Sequence, residues 1–225
     1  MIKKLTVPIV AFVHILFMMQ AAEAASAIKH VFVIAMENTD AKQIYGNLKR
    51  APYINKSIVP KYARGTNFSD PLPQEHSEPH YIWMEAGTNA FPDHTFQSDD
   101  SPSASNSTAS KDHLVTQIEN SGTVTWMTYQ EDINAKTGLC PIVSSFPYAA
   151  KHNPFVFFQD VSGNPPSKDS EYCQKRTKPY AAFAADLAAN KMANYVFITP
   201  NLCNDMHGDP KCLEVHRVTA GDKWL

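Results

Sequence analysis

The sequence predicts an α/β fold with a mostly parallel sheet, and three observations carry that reading. Ile28–Met36 (IKHVFVIAM) and Tyr195–Thr199 (YVFIT) are β-branched, apolar runs of the kind found in strands buried on both faces. Strand patterns alternate with helix patterns, which is the order of βα units. Both apolar runs end abruptly in polar residues, and open parallel sheets bind ligands beyond the carboxyl ends of their strands.

The elements follow in order. Ile28–Met36 is the first strand and stops at Glu37-Asn38-Thr39-Asp40. Arg64–Phe68 reads as a second, short strand, and Leu72–His76 as a proline-containing loop. A short helix is expected around Pro79, because proline costs no hydrogen bond in a first helical turn. Phe91–Ala109 is rich in Ser, Asp, Asn and Pro and reads as a long loop. Ser110 is placed to cap a helix from Lys111 to about Asn120, with Leu114, Val115 and Ile118 as its apolar stripe. Gly122 opens a strand over Thr123–Tyr129, and Phe155–Phe158 is a short aromatic strand or turn. A helix is expected from Pro179 to about Met192, and the strand Tyr195–Thr199 then ends at Pro200-Asn201. No repeat and no second domain are visible.

The chain of 225 residues is 44% hydrophobic and 19% charged, which suffices for one sizeable core. A net charge of −2 provides no basic field for a polyanion, so nucleic acid is not an expected partner. Lys3 and Lys4, the apolar stretch Thr6–Met19 and two A-x-A sites describe a secretory signal peptide over residues 1–24, with cleavage as late as 27. The apolar run is short for a membrane span, so no stable membrane anchor is expected and the destination is periplasmic or secreted. Cys140, Cys173, Cys203 and Cys212 form an even set that suits an oxidising compartment. Three pairings are possible. Cys203 with Cys212 would close a short loop and leave Cys140 with Cys173.

Three clusters carry candidate chemistry. Glu37 and Asn38 offer a carboxylate and an amide oxygen, which suit a hard divalent cation; the alternative is a simple cap on a following helix. Ser77, in His76-Ser77-Glu78-Pro79-His80, sits at a helix start, where backbone N–H groups favour an anion such as phosphate. Its alternative is again an N-cap. His152, in Lys151-His152-Asn153-Pro154, is a candidate to bind a phosphoryl oxygen or protonate a leaving alkoxide. The second strand end adds Asn201, Asn204, Asp205 and His207. His30, His94, His113 and His216 read as ordinary structural or surface residues.

HVFVIAMENTD, HSEPHYIWMEAGTN, TWMTYQED, KHNPFVFF and YVFITPNLCNDMHG together resemble the phosphoesterase family of secreted acid phosphatases and phosphatidylcholine-type phospholipases C. That family lies in the alkaline-phosphatase-like superfamily, which implies a three-layer α/β/α fold with a mostly parallel sheet. The resemblance implies Glu37 and Asn38 as ligands of a divalent metal cation of unknown identity and Ser77 as the nucleophile. It implies His152 and His207 as catalytic histidines. His80, Asn153, Asn204 and Asp205 are implied to contact a small phosphorylated substrate. His80 stands where the family usually has asparagine. The family's later acidic pair and further histidine have no counterpart, so the domain over 28–225 is expected to lack its C-terminal part.

The activity implied is metal-dependent hydrolysis of phosphomonoesters through a phosphoserine. A phospholipase C-type phosphodiesterase is the alternative within the family. An inactive remnant or a binding protein on the same scaffold is the alternative outside enzymology. The oligomeric state is left open.

Overall fold

Four strands, all parallel, run in the order β1-β4-β2-β3 in the computed structural model, which describes residues 28–73, 75–214 and 216–225. The strands are β1 (Val31–Ile34), β2 (Trp126–Gln130), β3 (Thr177–Pro179) and β4 (Tyr195–Thr199). The expected signal peptide lies outside the described residues. The helices are α1 (Ala41–Ile44), α2 (Ser77–Ala86), α3 (Leu114–Asn120), α4 (Gln159–Ser162), α5 (Glu171–Arg176), α6 (Phe183–Ala188) and α7 (Arg217–Trp224). The fold is a three-layer α/β/α arrangement.

Side-chain alternation along the two central strands splits the core into two layers. Trp126, Tyr195 and Phe197 pack on one face with Tyr81 and Ile82 of α2, Val115 of α3 and the aromatic run Phe155–Phe158. Tyr129, Val196 and Ile198 point to the other face, against Tyr180, Phe183 of α6 and Trp224 of α7. Phe155, Phe157, Phe158 and Phe197 are each at most 2% exposed, and each such ring contributes about 2–3 kcal/mol of burial. The two disulfides pair Cys140 with Cys173 and Cys203 with Cys212, as the spacing suggested.

Several expected elements change. The run at β1 lies at the sheet edge, so Val31, Phe32 and Ile34 are 41–47% exposed and not buried on both faces. Arg64–Phe68 forms no strand and is exposed throughout. The helix after Ser110 begins only at Leu114. Its cap is the carboxylate of Glu85 in α2, which accepts the N–H of Val115 at 2.8 Å. β2 starts at Trp126 because Ser121 Oγ accepts the N–H of Val124 and holds the preceding residues in a turn. Phe155–Phe158 is mostly a 3₁₀ turn. Pro179 closes the edge strand β3, where its missing N–H is tolerated. The following helix ends early because Asn190 enters the left-handed region at φ 54° and Lys191 N–H bonds back to Asp186 O.

α7 closes the structure behind the strand ends. Asp222 accepts the N–H groups of Tyr53 and Ile54 at 2.9 and 2.8 Å, which fixes α7 to the π-helical turn Ile54–Ile58. Gly221 presses against Met206 and Met36, one on each polar loop that follows β4 and β1.

Candidate active site

Two polar corners meet beyond the carboxyl ends of β1 and β4. Ala35 N–H still bonds Ile198 O, so the chain leaves the sheet from a fixed position. Glu37 N–H then donates to Asp205 O at 2.6 Å, and Thr39 Oγ1 donates to Met206 O at 2.8 Å. Asn38 at φ 39° and Met206 at φ 76° occupy the left-handed region that ordinary side chains avoid. Such backbone persists only where the surroundings over-determine it.

The loop after β4 is heavily braced. Asn201 Oδ1 accepts the N–H groups of Cys203 and Asn204, and Gly208 N–H bonds Leu202 O. The Cys203–Cys212 disulfide closes the same loop. Glu131 follows β2 and accepts from Asn201 N–H, Asn204 Nδ2 and Trp224 Nε1 at 2.8–3.0 Å. Burial pushes the Glu131 carboxyl up, against these bonds. Sequence reading missed this residue, although its place one residue past a strand end was the available signal.

His152 is the hub beneath the corner. It is 1% exposed, with Nε2 3.5 Å from Glu37 Oε1 and Nδ1 3.5 Å from Asp205 Oδ2. Neither contact has hydrogen-bond geometry, and both ring nitrogens, Glu37 Oε2 and Asp205 Oδ2 are buried without a partner. Tyr81 of α2 stacks on the imidazole at 4.8 Å and 12°. Burial first, then the charges of Glu37 and Asp205, hold the Tyr81 hydroxyl well above its usual range, so it stays neutral. Buried polar atoms are normally satisfied, so this concentration of orphans marks a place built for something beyond the chain itself.

Ser77 is the first residue of α2 and lines a cleft of about 500 Å³ with Glu37, Asn38, His80 and His207. His207 Nδ1 donates to Gly208 O at 2.8 Å, which leaves Nε2 for the cleft. His80 is not a free donor. Its Nδ1 lies 2.6 Å from His76 O and its Nε2 3.0 Å from Asp70, so it ties the Asp70 strand of loop to α2. Asn153 is fully buried with Nδ2 toward Tyr148 Oη, and Asn204 Nδ2 is spent on Glu131. Asp205 is fully buried and accepts His207 N–H at Oδ1, at 2.7 Å. The structure thus gathers Glu37, Asn38, Ser77, His80 and His207 at the cleft. His152, Asp205 and Asn153 are buried and do not line it, and neither does Asn204.

Glu78 is a further residue that sequence reading missed. It is fully buried, and its Oε2 accepts from Asp100 N–H, Asn106 Nδ2 and Ser98 Oγ at 2.8–3.3 Å. These bonds dock the 98–106 loop on the first turn of α2. Burial pushes the Glu78 carboxyl up to about 7. Asp99 of that loop lines the cleft and pairs with Lys151.

Among the described residues no three His, Cys, Asp or Glu side chains converge at metal-binding distance. Glu37 Oε2, buried and unpartnered, and the amide of Asn38 on the same cleft fit part of the oxygen shell of a hard divalent cation.

The chain is 28% identical over 105 residues to a phosphate-repressible acid phosphatase of Penicillium chrysogenum, covering 45% of this chain and 22% of that protein. It is 34% identical over 77 residues to an acid phosphatase of Aspergillus fumigatus, covering 34% and 14%. A probable acid phosphatase of Kluyveromyces lactis is 28% identical over 189 residues, covering 81% and 39%. The chain therefore spans 14–39% of the length of these relatives. Residues 73–225 match the Phosphoesterase family, and they carry the Ser77 helix, the three cleft histidines and the braced loop. On that match, which covers well over half of its length, the chain belongs to the phosphoesterase family.

Proposed function

We propose that this chain carries an acid phosphatase-type site that hydrolyses phosphomonoesters, with Ser77 as the attacking group. The observation that carries the reading is the position of Ser77. Its hydroxyl opens a ten-residue helix at a cleft whose other wall holds Glu37, Asn38 and His207. A helix N-terminus offers free N–H groups and a favourable dipole to a phosphate. The family membership and the names of the three relatives support the reaction class.

In this reading Ser77 Oγ gives its proton to water, attacks phosphorus in line, and the bond to the leaving oxygen breaks. His207 Nε2 gives that oxygen its proton, because Nδ1 is already committed to Gly208 O. Water then attacks the phosphoserine and gives a proton to His207, the bond from phosphorus to Ser77 Oγ breaks, Oγ regains a proton from solvent, and phosphate leaves. His152 does not line the cleft, and its Nε2 lies 3.5 Å from Glu37 Oε1, so its part in this reading is electrostatic support of Glu37. Glu37 and Asn38 would hold a divalent cation, which when bound supplies polarisation of a phosphoryl oxygen. The remaining catalysis is positioning and charge stabilisation.

Two disulfides suit an oxidising compartment, and no described helix is long and apolar enough to cross a membrane. An exported enzyme is the reading these features support. Replacement Ser77→Ala should abolish phosphate release from an aryl phosphate, and acid quenching of the parent should trap phosphoserine at that position. A Ser77→Ala chain that turns over at the parental rate sinks the assignment.

A further inference from the structure

The cleft has two unlike ends. One holds Glu37, Asn38, Ser77 and His207, and the other holds Phe68, Pro71, Trp83 and Met84. Ser77, His80 and Met84 are spaced three and four residues apart and Trp83 is three from His80, so they share one face of α2. At 1.5 Å per residue, Met84 lies about 10 Å along the axis from Ser77. The opposite wall is the segment 68–71, held to that helix face by the Asp70–His80 bond. The cleft is thus a trough that starts at the nucleophile and runs along the helix.

The far end is apolar and open to water. Phe68 is 91% exposed and Met84 is 47% exposed, whereas Tyr81 and Ile82 on the other face of α2 are almost completely buried. Apolar side chains left bare beside a polar cleft mark a surface that binds something apolar. Asp70, Glu75 and Asp99 also line the trough; Asp70 is paired with His80 and Asp99 with Lys151, so the repulsion that a leaving group with further negative charge meets there falls chiefly to Glu75.

We propose that Phe68, Pro71, Trp83 and Met84 form the leaving-group subsite, which selects phosphate esters of uncharged, apolar alcohols over polar or polyanionic ones. This inference rests on Ser77 as the phosphate end, and it names the substrate class. The phosphoryl group sits at Ser77 and the alcohol portion lies along α2 toward Met84. A six-carbon chain spans most of that distance.

The test is equilibrium binding of two phosphonates that cannot be hydrolysed, methylphosphonate and n-hexylphosphonate, measured calorimetrically on the intact chain. The parent should bind the hexyl compound at least about tenfold more tightly, since each buried methylene favours binding. Met84→Gln and Phe68→Ser should each reduce that preference severalfold, and both sites are exposed enough to be changed without unfolding the chain. Equal binding of the two phosphonates overturns the inference. So does a preference untouched in both variants, or no binding of either compound. Failure of the hydrolytic reading shows separately, as intact tenfold discrimination in a chain that releases no phosphate from n-hexyl phosphate.

Discussion

The main-chain carbonyl of Asp205 accepts the N–H of Glu37 at 2.6 Å, so the loop after β4 holds the corner after β1 directly. The side chain of Asp205 extends the same linkage, with Oδ1 on His207 N–H and Oδ2 3.5 Å from His152 Nδ1. One buried aspartate therefore touches three residues of the candidate site. It does not line the cleft, and the role proposed for it is to position these groups.

Asp205→Asn tests that role. The amide keeps an oxygen for His207 N–H but turns an N–H₂ group toward His152. The fold should persist by circular dichroism, while kcat on an aryl phosphate falls on the order of 100-fold with KM little changed. Asp205→Glu, which keeps the carboxylate, should not retain full activity either, because the longer side chain does not fit a fully buried site. An unchanged kcat in Asp205→Asn refutes the positioning role.

Glu78 makes stability depend on pH in a defined direction. Its carboxyl is pushed up to about 7 from an ordinary 4.5, chiefly by burial. Between these values the folded chain holds a proton that the unfolded chain has released, so stability falls as pH rises. The contribution is complete below pH 4.5 and lost by about pH 7, and it amounts to at most about 3 kcal/mol. Thermal melting of the parent should therefore drop between pH 4.5 and 7.5, with Glu78→Gln showing a shallower drop. Parallel melting curves for the two proteins would count against it.

The candidate site was legible in sequence where the signal is local. A β-branched run followed at once by Glu37-Asn38 announces a strand end with polar chemistry, and Ser77 two residues ahead of Pro79 announces a helix start. For the cysteines the sequence left three pairings open, of which the structure forms Cys203 with Cys212 and Cys140 with Cys173. What was hidden depends on residues distant in sequence. Nothing in VFVI states that β1 lies at the edge, because strand order is set by the packing of the whole sheet. Asn204 looked like a substrate ligand because its partner, Glu131, lies 73 residues away. His80 looked like a phosphate donor because its acceptor, Asp70, sits on a loop with no pattern of its own. The early end of α6 reflects one left-handed residue, Asn190, inside a stretch whose composition favours helix.

His113 supports the helix that carries Ser77 from its far end. It is fully buried, with Nδ1 2.9 Å from Glu85 Oε1 and Nε2 3.1 Å from Asp160 Oδ1, and it stacks on Phe158 at 3.9 Å. Burial opposes its protonation, but the bonds to Asp160 and Glu85 outweigh it and raise its pKa. The stability from that imidazolium is present below pH 6.5 and is lost as pH climbs through the raised value. His113→Ala leaves two carboxylates facing a cavity, which should cost about 3–5 kcal/mol in urea unfolding at pH 6. A cost below about 1 kcal/mol would show that the network is not a coupled ion cluster.

Gly221 sets how closely α7 approaches the braced loop. A Cβ there would overlap Met206 Cγ and come within 2.9 Å of Met36 Cε and 3.0 Å of Asn204 O. Helix propensity alone favours alanine over glycine by about 1 kcal/mol. Overpacking a tight contact costs about 1–3 kcal/mol, and here one of the neighbours is backbone. The overlap should win, so Gly221→Ala is expected to be less stable than the parent in urea unfolding. Its activity should fall too, because Met206 follows Asp205 and Met36 precedes Glu37. Adding Met206→Ala relieves the overlap and should make the Gly221→Ala change less costly than it is in the parent background. If Gly221→Ala is instead the more stable protein, α7 does not press on the loop and the double variant will show no coupling.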